Sequence, residues 1–199
     1  FEGGGDIHSM VASMVLGVPI NQITKESRER SIGKKCVHSA NYLIGPYLFA
    51  SLIGVSNPEG KRLLERYYGI FQIKDWHRRV EEEIKKTRTL TTPFGRKRRF
   101  FDRYGDDLLR AAVAYIPQST ASDHINRAAV RIYPQLPESS AILLQVHDEI
   151  VIQAKEADVE KVIGLARREL STPIPIDGKD VVIPIDIQVG GNWKDGVTI

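Results

Sequence analysis

The sequence predicts an α+β fold, mostly helical in its first half and carrying an antiparallel sheet in its second. Two observations point there. Apolar residues in the first half recur at helical spacing, beginning with Ile7, Met10, Val11, Met14 and Val15. In the second half, short apolar runs at residues 141–146 and 150–154 flank His147-Asp148-Glu149 and read as a hairpin. Of the 199 residues, 42% are hydrophobic, enough to bury a core and to exclude wholesale disorder.

Phe1-Glu2-Gly3-Gly4-Gly5 reads as a flexible lead-in. A helix over residues 6–16 follows and ends at Gly17-Val18-Pro19. Thr24 or Ser27 caps a second helix, expected to run to about residue 44, where Gly45-Pro46 breaks it. A short helix over 47–53 stops at Gly54. Asn57-Pro58-Glu59 combines a cap, a first-turn proline and an acid, and so starts a helix. That helix carries Leu63, Leu64 and Tyr67, is interrupted at Gly69, and resumes through Trp76, Val80 and Ile84. Lys85, Lys86 and Arg88 give its last turns the sign a helix C-terminus prefers. Residues 89–92 and 96–101 form a hairpin around Pro93-Phe94-Gly95. Helices over 106–115 and 122–132 are divided at Pro117. Asp158 caps a helix to about residue 170, and 181–189 is a final strand. Trp193 reads as a C-terminal plug against the core.

The 28 basic residues nearly balance the 25 acidic ones, a formal +3, so placement matters more than net charge. The single cysteine, Cys36, excludes an internal disulfide. No apolar run approaches the ~18 residues of a membrane helix, and no signal peptide opens the chain. The expectation is a soluble protein of the cytoplasm, the host's if the source is viral, with no membrane partner. There is no Walker-type loop, zinc spacing or Ser/His/Asp cluster.

Three groups of residues carry chemistry. A hairpin tip exposes Asp148 and Glu149 as hard oxygen ligands of the kind magnesium takes, beside His147. The alternative is that Asp simply favours turns. Arg30, Lys34, His38 and Tyr42 are spaced four apart and share one helix face about 18 Å long. Cations in the first turns oppose the helix macrodipole unless an anion sits there, and a triphosphate fits. His38 and Tyr42 would then meet ribose and base; the alternative is a solvated charged face. Lys35, one position round, reads as plain solvent-facing charge. Gly95-Arg96-Lys97-Arg98-Arg99 puts four cations on one hairpin, a sequence-independent grip on nucleic-acid phosphates. Arg110 and Gln118 flank the expected helix break; for Arg110 an ion pair with Asp106 or Asp107 is the plainer reading. His8, near a helix start, reads by itself as a capping or surface residue.

Together these motifs resemble the C-terminal fingers and palm part of family-A (polymerase I-type) DNA polymerases. Asp6-Ile7-His8 resembles the family's short helix after its first catalytic strand. Arg30, Lys34, His38 and Tyr42 resemble the nucleotide-binding helix of the fingers. Thr92-Pro93-Phe94-Gly95-Arg96 resembles the Gly-Arg hairpin, and Pro117-Gln118-Ser119-Thr120-Ala121 the segment that touches primer–template. Gln145-Val146-His147-Asp148-Glu149 resembles the palm's motif C. The string Gly33-Lys34-Lys35, His38-Ser39-Ala40-Asn41-Tyr42, Gly45-Pro46 is similar to phage and environmental-virus members.

The resemblance implies an incomplete right-hand polymerase fold, with residues 1–108 as fingers and 109–199 as the palm part. It implies template-directed DNA synthesis with two Mg2+ ions, primer–template DNA and dNTPs. Arg30, Lys34 and His8 would bind the triphosphate, His38 would stack near the sugar, and Tyr42 would face the templating site. Asp148 would ligate the metals, with His147 and Glu149 steadying the primer end. Arg96, Arg98, Arg110 and Gln118 would contact DNA. An N-terminal remainder, with the thumb and the other catalytic Asp, would have to complete the centre, so this chain alone is expected to polymerise nothing. Leu43 and Ser119 stand where the family usually has Gly. The competing readings are a non-catalytic DNA-binding module with a degenerate polymerase fold, and a single-subunit RNA polymerase. Glu149 argues against the latter, which usually carries Ser there.

Overall fold

Residues 5–199 are described by a computed structural model, and their contacts divide them into two units. The first runs to Leu90 and includes Arg98–Tyr115; the second holds Thr91–Lys97 and Ile116–Ile199. Of the expected lead-in, residues 1–4 lie outside the described residues.

Five helices build most of the first unit: α1 (Ile7–Leu16), α2 (Arg28–Ala40), α3 (Pro46–Ile53), α4 (Asn57–Ile70) and α5 (Ile73–Thr87). Their starts follow side-chain capping, since Asp6, Ser27 and Ser56 each accept a hydrogen bond from a first-turn amide. Val11, Val15, Ile32, Cys36, Phe49, Leu63 and Tyr67 form its core. Phe49 and Leu63 are at most 1% exposed, and burial of such side chains stabilises by about 1.5–3 kcal/mol each. Gly33 sets the spacing of α1 and α2: a Cβ there would lie 2.1 Å from the His8 carbonyl oxygen.

Helix α2 ends sooner than the predicted residue 44. Leu43 N–H donates to Ala40 O (3.3 Å) and Ile44 N–H to Ser39 O (3.2 Å), the Schellman pattern that closes a helix. Leu43 takes the left-handed position of that motif with φ 61°, where glycine is easiest. The next interruption falls at Phe71 rather than Gly69, because Phe71 leaves the helix in extended backbone and packs its ring 4.8 Å from that of Tyr67.

Strands β1 (Thr89–Thr91) and β2 (Lys97–Arg99) make the expected hairpin. Gly95 supplies a positive φ of 85° in its turn. Helix α6 runs unbroken from Asp106 to Ile132, so Pro117 does not divide it. A helix-interior proline costs about 3 kcal/mol. Buried neighbours along α6 (Val113 at 1% and Thr120 at 6% exposed) offset that loss.

In the second unit, β3 (Ala141–Val146) pairs antiparallel with β4 (Glu149–Gln153), Val146 opposite Glu149. The register shifts between Ile142 and Leu144, a bulge at Leu143. Helix α7 (Val159–Leu170) packs Leu165 with Ala128 and Ile132 of α6, and Ile142 and Ile152 of the hairpin join them. Two further antiparallel pairs follow: β5 (Ile174–Ile176) with β6 (Lys179–Val181), and β7 (Gln188–Val189) with β8 (Val197–Thr198). The single strand expected over 181–189 is broken at 182–187, where Pro184 has no amide hydrogen for a ladder. The fold is α+β, with small antiparallel sheets. Trp193 is 55% exposed and is not a core plug.

Candidate functional site

In the first unit, the basic face begins on α2. Ser27 Oγ accepts from Arg30 N–H at 3.2 Å and fixes the first turn. Arg30, Lys34 and His38 lie on the helix, whereas Tyr42 falls on the turn beyond Ala40. Lys34 and His38 are exposed; Arg30 and Tyr42 are half-buried. An anion for Arg30 is present within the chain. Asp6 accepts from Arg30 Nε at 2.5 Å and from Nη2 at 3.3 Å. It also accepts from His8 N–H at 3.1 Å and Ser9 Oγ at 2.6 Å. The Arg30 guanidinium and the Ser9 hydroxyl hold the Asp6 carboxyl well below the usual carboxylate range.

His8 joins this face from α1, its ring 5.6 Å from that of His38. Its Nδ1 is shut off from solvent with no hydrogen-bond partner among the described residues. Burial pushes the imidazole below its ordinary value, and Arg30, His38 and Lys34 push the same way against Asp6. One unit thus brings together four of the predicted nucleotide-binding residues: His8, Arg30, Lys34 and His38. Lys35 is not idle surface charge. Its Nζ donates to Leu52 O at 2.8 Å, and Arg28 Nη2 donates to Gly54 O at 3.3 Å, so two α2 cations serve the C-terminal end of α3.

In the second unit, His147 and Asp148 are the two loop residues of the β3–β4 hairpin. His147 takes φ 53°, a conformation that costs a non-glycine residue of order 1–3 kcal/mol. All three of His147, Asp148 and Glu149 are exposed. Glu149 Oε1 accepts from Trp193 Nε1 at 2.7 Å, whereas Asp148 makes no hydrogen bond or ion pair among the described residues.

The basic ribbon is less free than its composition suggests. Arg96 is held bidentate by the buried Asp123 carboxylate, at 2.5–2.9 Å. Arg98 lies over the ring of Phe100, 4.7 Å from its centroid. Arg110 pairs with Asp107, the plainer of its two readings. Gln118 is exposed on α6. Ser119 sits in ordinary helical backbone, so a side chain in place of glycine costs no strain there.

The family model described as DNA polymerase family A matches residues 1–195. The chain belongs to that family. It is 29% identical over 200 residues to DNA polymerase I of Mycobacterium leprae, covering 96% of this chain and 21% of the relative. It is also 29% identical over 203 residues to the thermostable DNA polymerase I of Thermus aquaticus, covering 96% of this chain and 23% of that one. The POL domain of Pol1 from M. smegmatis, solved in complex with DNA primer-template and dNTP, superimposes with a TM-score of 0.78 at 29% identity. That match covers 85% of this chain and 31% of the other. The chain spans about a fifth of the length of the curated relatives it matches.

For a family-A polymerase segment the metal question is concrete. Among the described residues no group of three or more His, Cys, Asp or Glu side chains could hold a metal ion. Asp148 offers one uncommitted carboxylate, and the residues present do not make a two-metal site by themselves. Among the described residues no helix is long and apolar enough to cross a membrane. Sequence reasoning missed Asp6 as the partner of Arg30, Asp123 as that of Arg96 and Trp193 as that of Glu149. Asp6 carried a signal as an acid before a helix start. The other two pairings join residues 27 and 44 positions apart, beyond any local pattern.

Proposed function

We propose that this chain supplies the nucleotide-binding helix and part of the catalytic centre of a DNA polymerase, extending a primer 3′ end with dNTPs. The observation that carries the reading is the joint placement of His8, Arg30, Lys34 and His38 on one face, in a chain of family A. Residues 1–108 act as fingers and 109–199 as the palm part. Lys34, Arg30 and His8 take the triphosphate, His38 lies near the sugar, and Tyr42 faces the templating position. A guanidinium, an ammonium and a helix N-terminus converge on phosphate oxygens, which suits an anion.

Asp148 would be the carboxylate that holds the metal ions, with a second Asp from another part of the polymerase completing the pair. Magnesium bound there would stabilise charge on the transferring phosphoryl group. His147 and Glu149 keep the turn and the primer end in place, and the Trp193 bond holds Glu149. Arg96, Arg98, Arg110 and Gln118 contact primer–template DNA. Solvation by the cytoplasm fits these partners. Affinity with phage or viral members rests on the Gly33–Pro46 string alone, the relatives compared being bacterial, and the flanking genes test it.

Primer extension by the polymerase carrying this segment tests the reading, with dNTPs against rNTPs. Loss of extension in Asp148→Ala supports it. Full extension by that variant supports a DNA-binding module without chemistry, and preference for rNTPs supports an RNA polymerase. The 199-residue chain alone, given magnesium, primer–template and dNTPs, should extend nothing. Adding a fragment with the upstream Asp strand and thumb should restore extension.

A further inference from the structure

We infer that Asp6 is a positioning residue for Arg30, holding its guanidinium by one edge so that the other faces the incoming triphosphate; the inference rests on the nucleotide reading of this row. The Asp6 carboxylate is itself fixed, because His8 N–H and Ser9 Oγ, both in the first turn of α1, donate to it at 3.1 and 2.6 Å. Arg30 docks on that fixed group through Nε and Nη2. Its Nη1 makes no hydrogen bond among the described residues, so the Nη1/Nη2 edge stays open to a second oxyanion. A guanidinium offers five donors in a rigid fork, which lets it serve a carboxylate and a phosphate at once.

The carboxylate also joins two elements. Asp6 caps α1, and Arg30 begins the row on α2 that Lys34 and His38 continue. Gly33 lets α1 lie close enough for the bond to form and for His8 to meet His38. A long, flexible side chain is thereby ordered before the ligand arrives, and ordering done in advance is not charged against binding. Lys34, exposed and without a carboxylate partner among the described residues, keeps the face attractive to an anion despite the charge on Asp6.

The test is dNTP kinetics in the whole polymerase carrying this segment, for Arg30→Ala, Asp6→Ala, Asp6→Asn and the Asp6→Ala/Arg30→Ala double variant. Asn caps helices as well as Asp, so Asp6→Asn removes the charge while sparing α1. Asp6→Ala should raise KM for dNTP about tenfold with kcat little changed, and Asp6→Asn should raise it less. The double variant should be no worse than Arg30→Ala, because Asp6 acts through Arg30. An unchanged KM in both Asp6 variants, with Arg30→Ala raising it, overturns this inference and leaves the nucleotide reading intact. A further loss from Asp6→Ala in the Arg30→Ala background also overturns it, since that is the mark of a purely structural role. An unchanged KM in Arg30→Ala overturns the nucleotide reading itself, and the inference with it.

Discussion

The two units present their chemistry in opposite ways. The basic face of the first is braced: Arg30 is held by Asp6, His8 packs on His38, and α1 and α2 meet where only glycine fits at position 33. The acidic turn of the second is barer, with Glu149 held by Trp193. Asp148 makes no hydrogen bond or ion pair among the described residues, the hairpin has two strands, and its Leu143 and Leu144 are 52% and 46% exposed. An anion-binding face gains from cations ordered in advance. A metal-binding carboxylate gains from keeping its oxygens uncommitted. The difference fits the division of labour proposed above, with nucleotide binding in the first unit and chemistry in the second.

The largest effect that sharpens the contrast is Asp148→Ala in the whole polymerase. Single-turnover primer extension should fall by roughly a thousandfold or more, since metal stabilisation is worth several kcal/mol. Rates near those of the parent would remove chemistry from the second unit. Next come two glycines on helices. Gly33→Ala forces a Cβ to 2.1 Å from His8 O and should destabilise by about 2–3 kcal/mol in urea unfolding. Gly164→Ala on α7 meets nothing within 4 Å and should be neutral or stabilise by up to about 1 kcal/mol. Equal effects at the two sites would erase the claim that the first unit is the more tightly fitted.

Leu43→Gly is smaller. It relieves a φ of 61° at the end of α2 and should raise stability by up to about 1 kcal/mol. A loss would mean that Leu43 contributes packing that outweighs its strain. The smallest effect is on pH. Burial lowers the affinity of His8 and His77 for protons in the folded chain. The unfolded chain then binds more protons once pH falls below about 6.5, so stability should drop on acidification from there and recover as pH rises. The Asp6 carboxyl is depressed instead, so its contribution stays complete above about pH 4 and fades only below that. A flat denaturation midpoint between pH 7 and pH 5 would contradict the histidine account.

Much of this contrast was legible in the sequence where the signal was local. Ser27 as a cap, the Gly95 turn and the His147–Asp148 loop follow from short patterns of polar, glycine and apolar residues. Spacing by four put Arg30, Lys34 and His38 on one face, and the same rule ran the helix past Tyr42, two residues beyond its last residue Ala40, because Leu43 closes the helix without the glycine that usually announces such an end. Pro117 misled in the opposite sense, as buried contacts along α6 outweigh a missing amide. The bonds of Asp6 to Arg30 and Asp123 to Arg96 join distant residues, and only the packed chain discloses them.

The division of labour is tested most directly by equilibrium dNTP binding to the whole polymerase on a chain-terminated primer–template. Lys34→Ala should weaken binding about tenfold, as loss of a charge-assisted phosphate contact does, while Asp148→Ala stays within about threefold of the parent. Equal weakening in the two variants, or weakening in Asp148→Ala alone, would contradict the account.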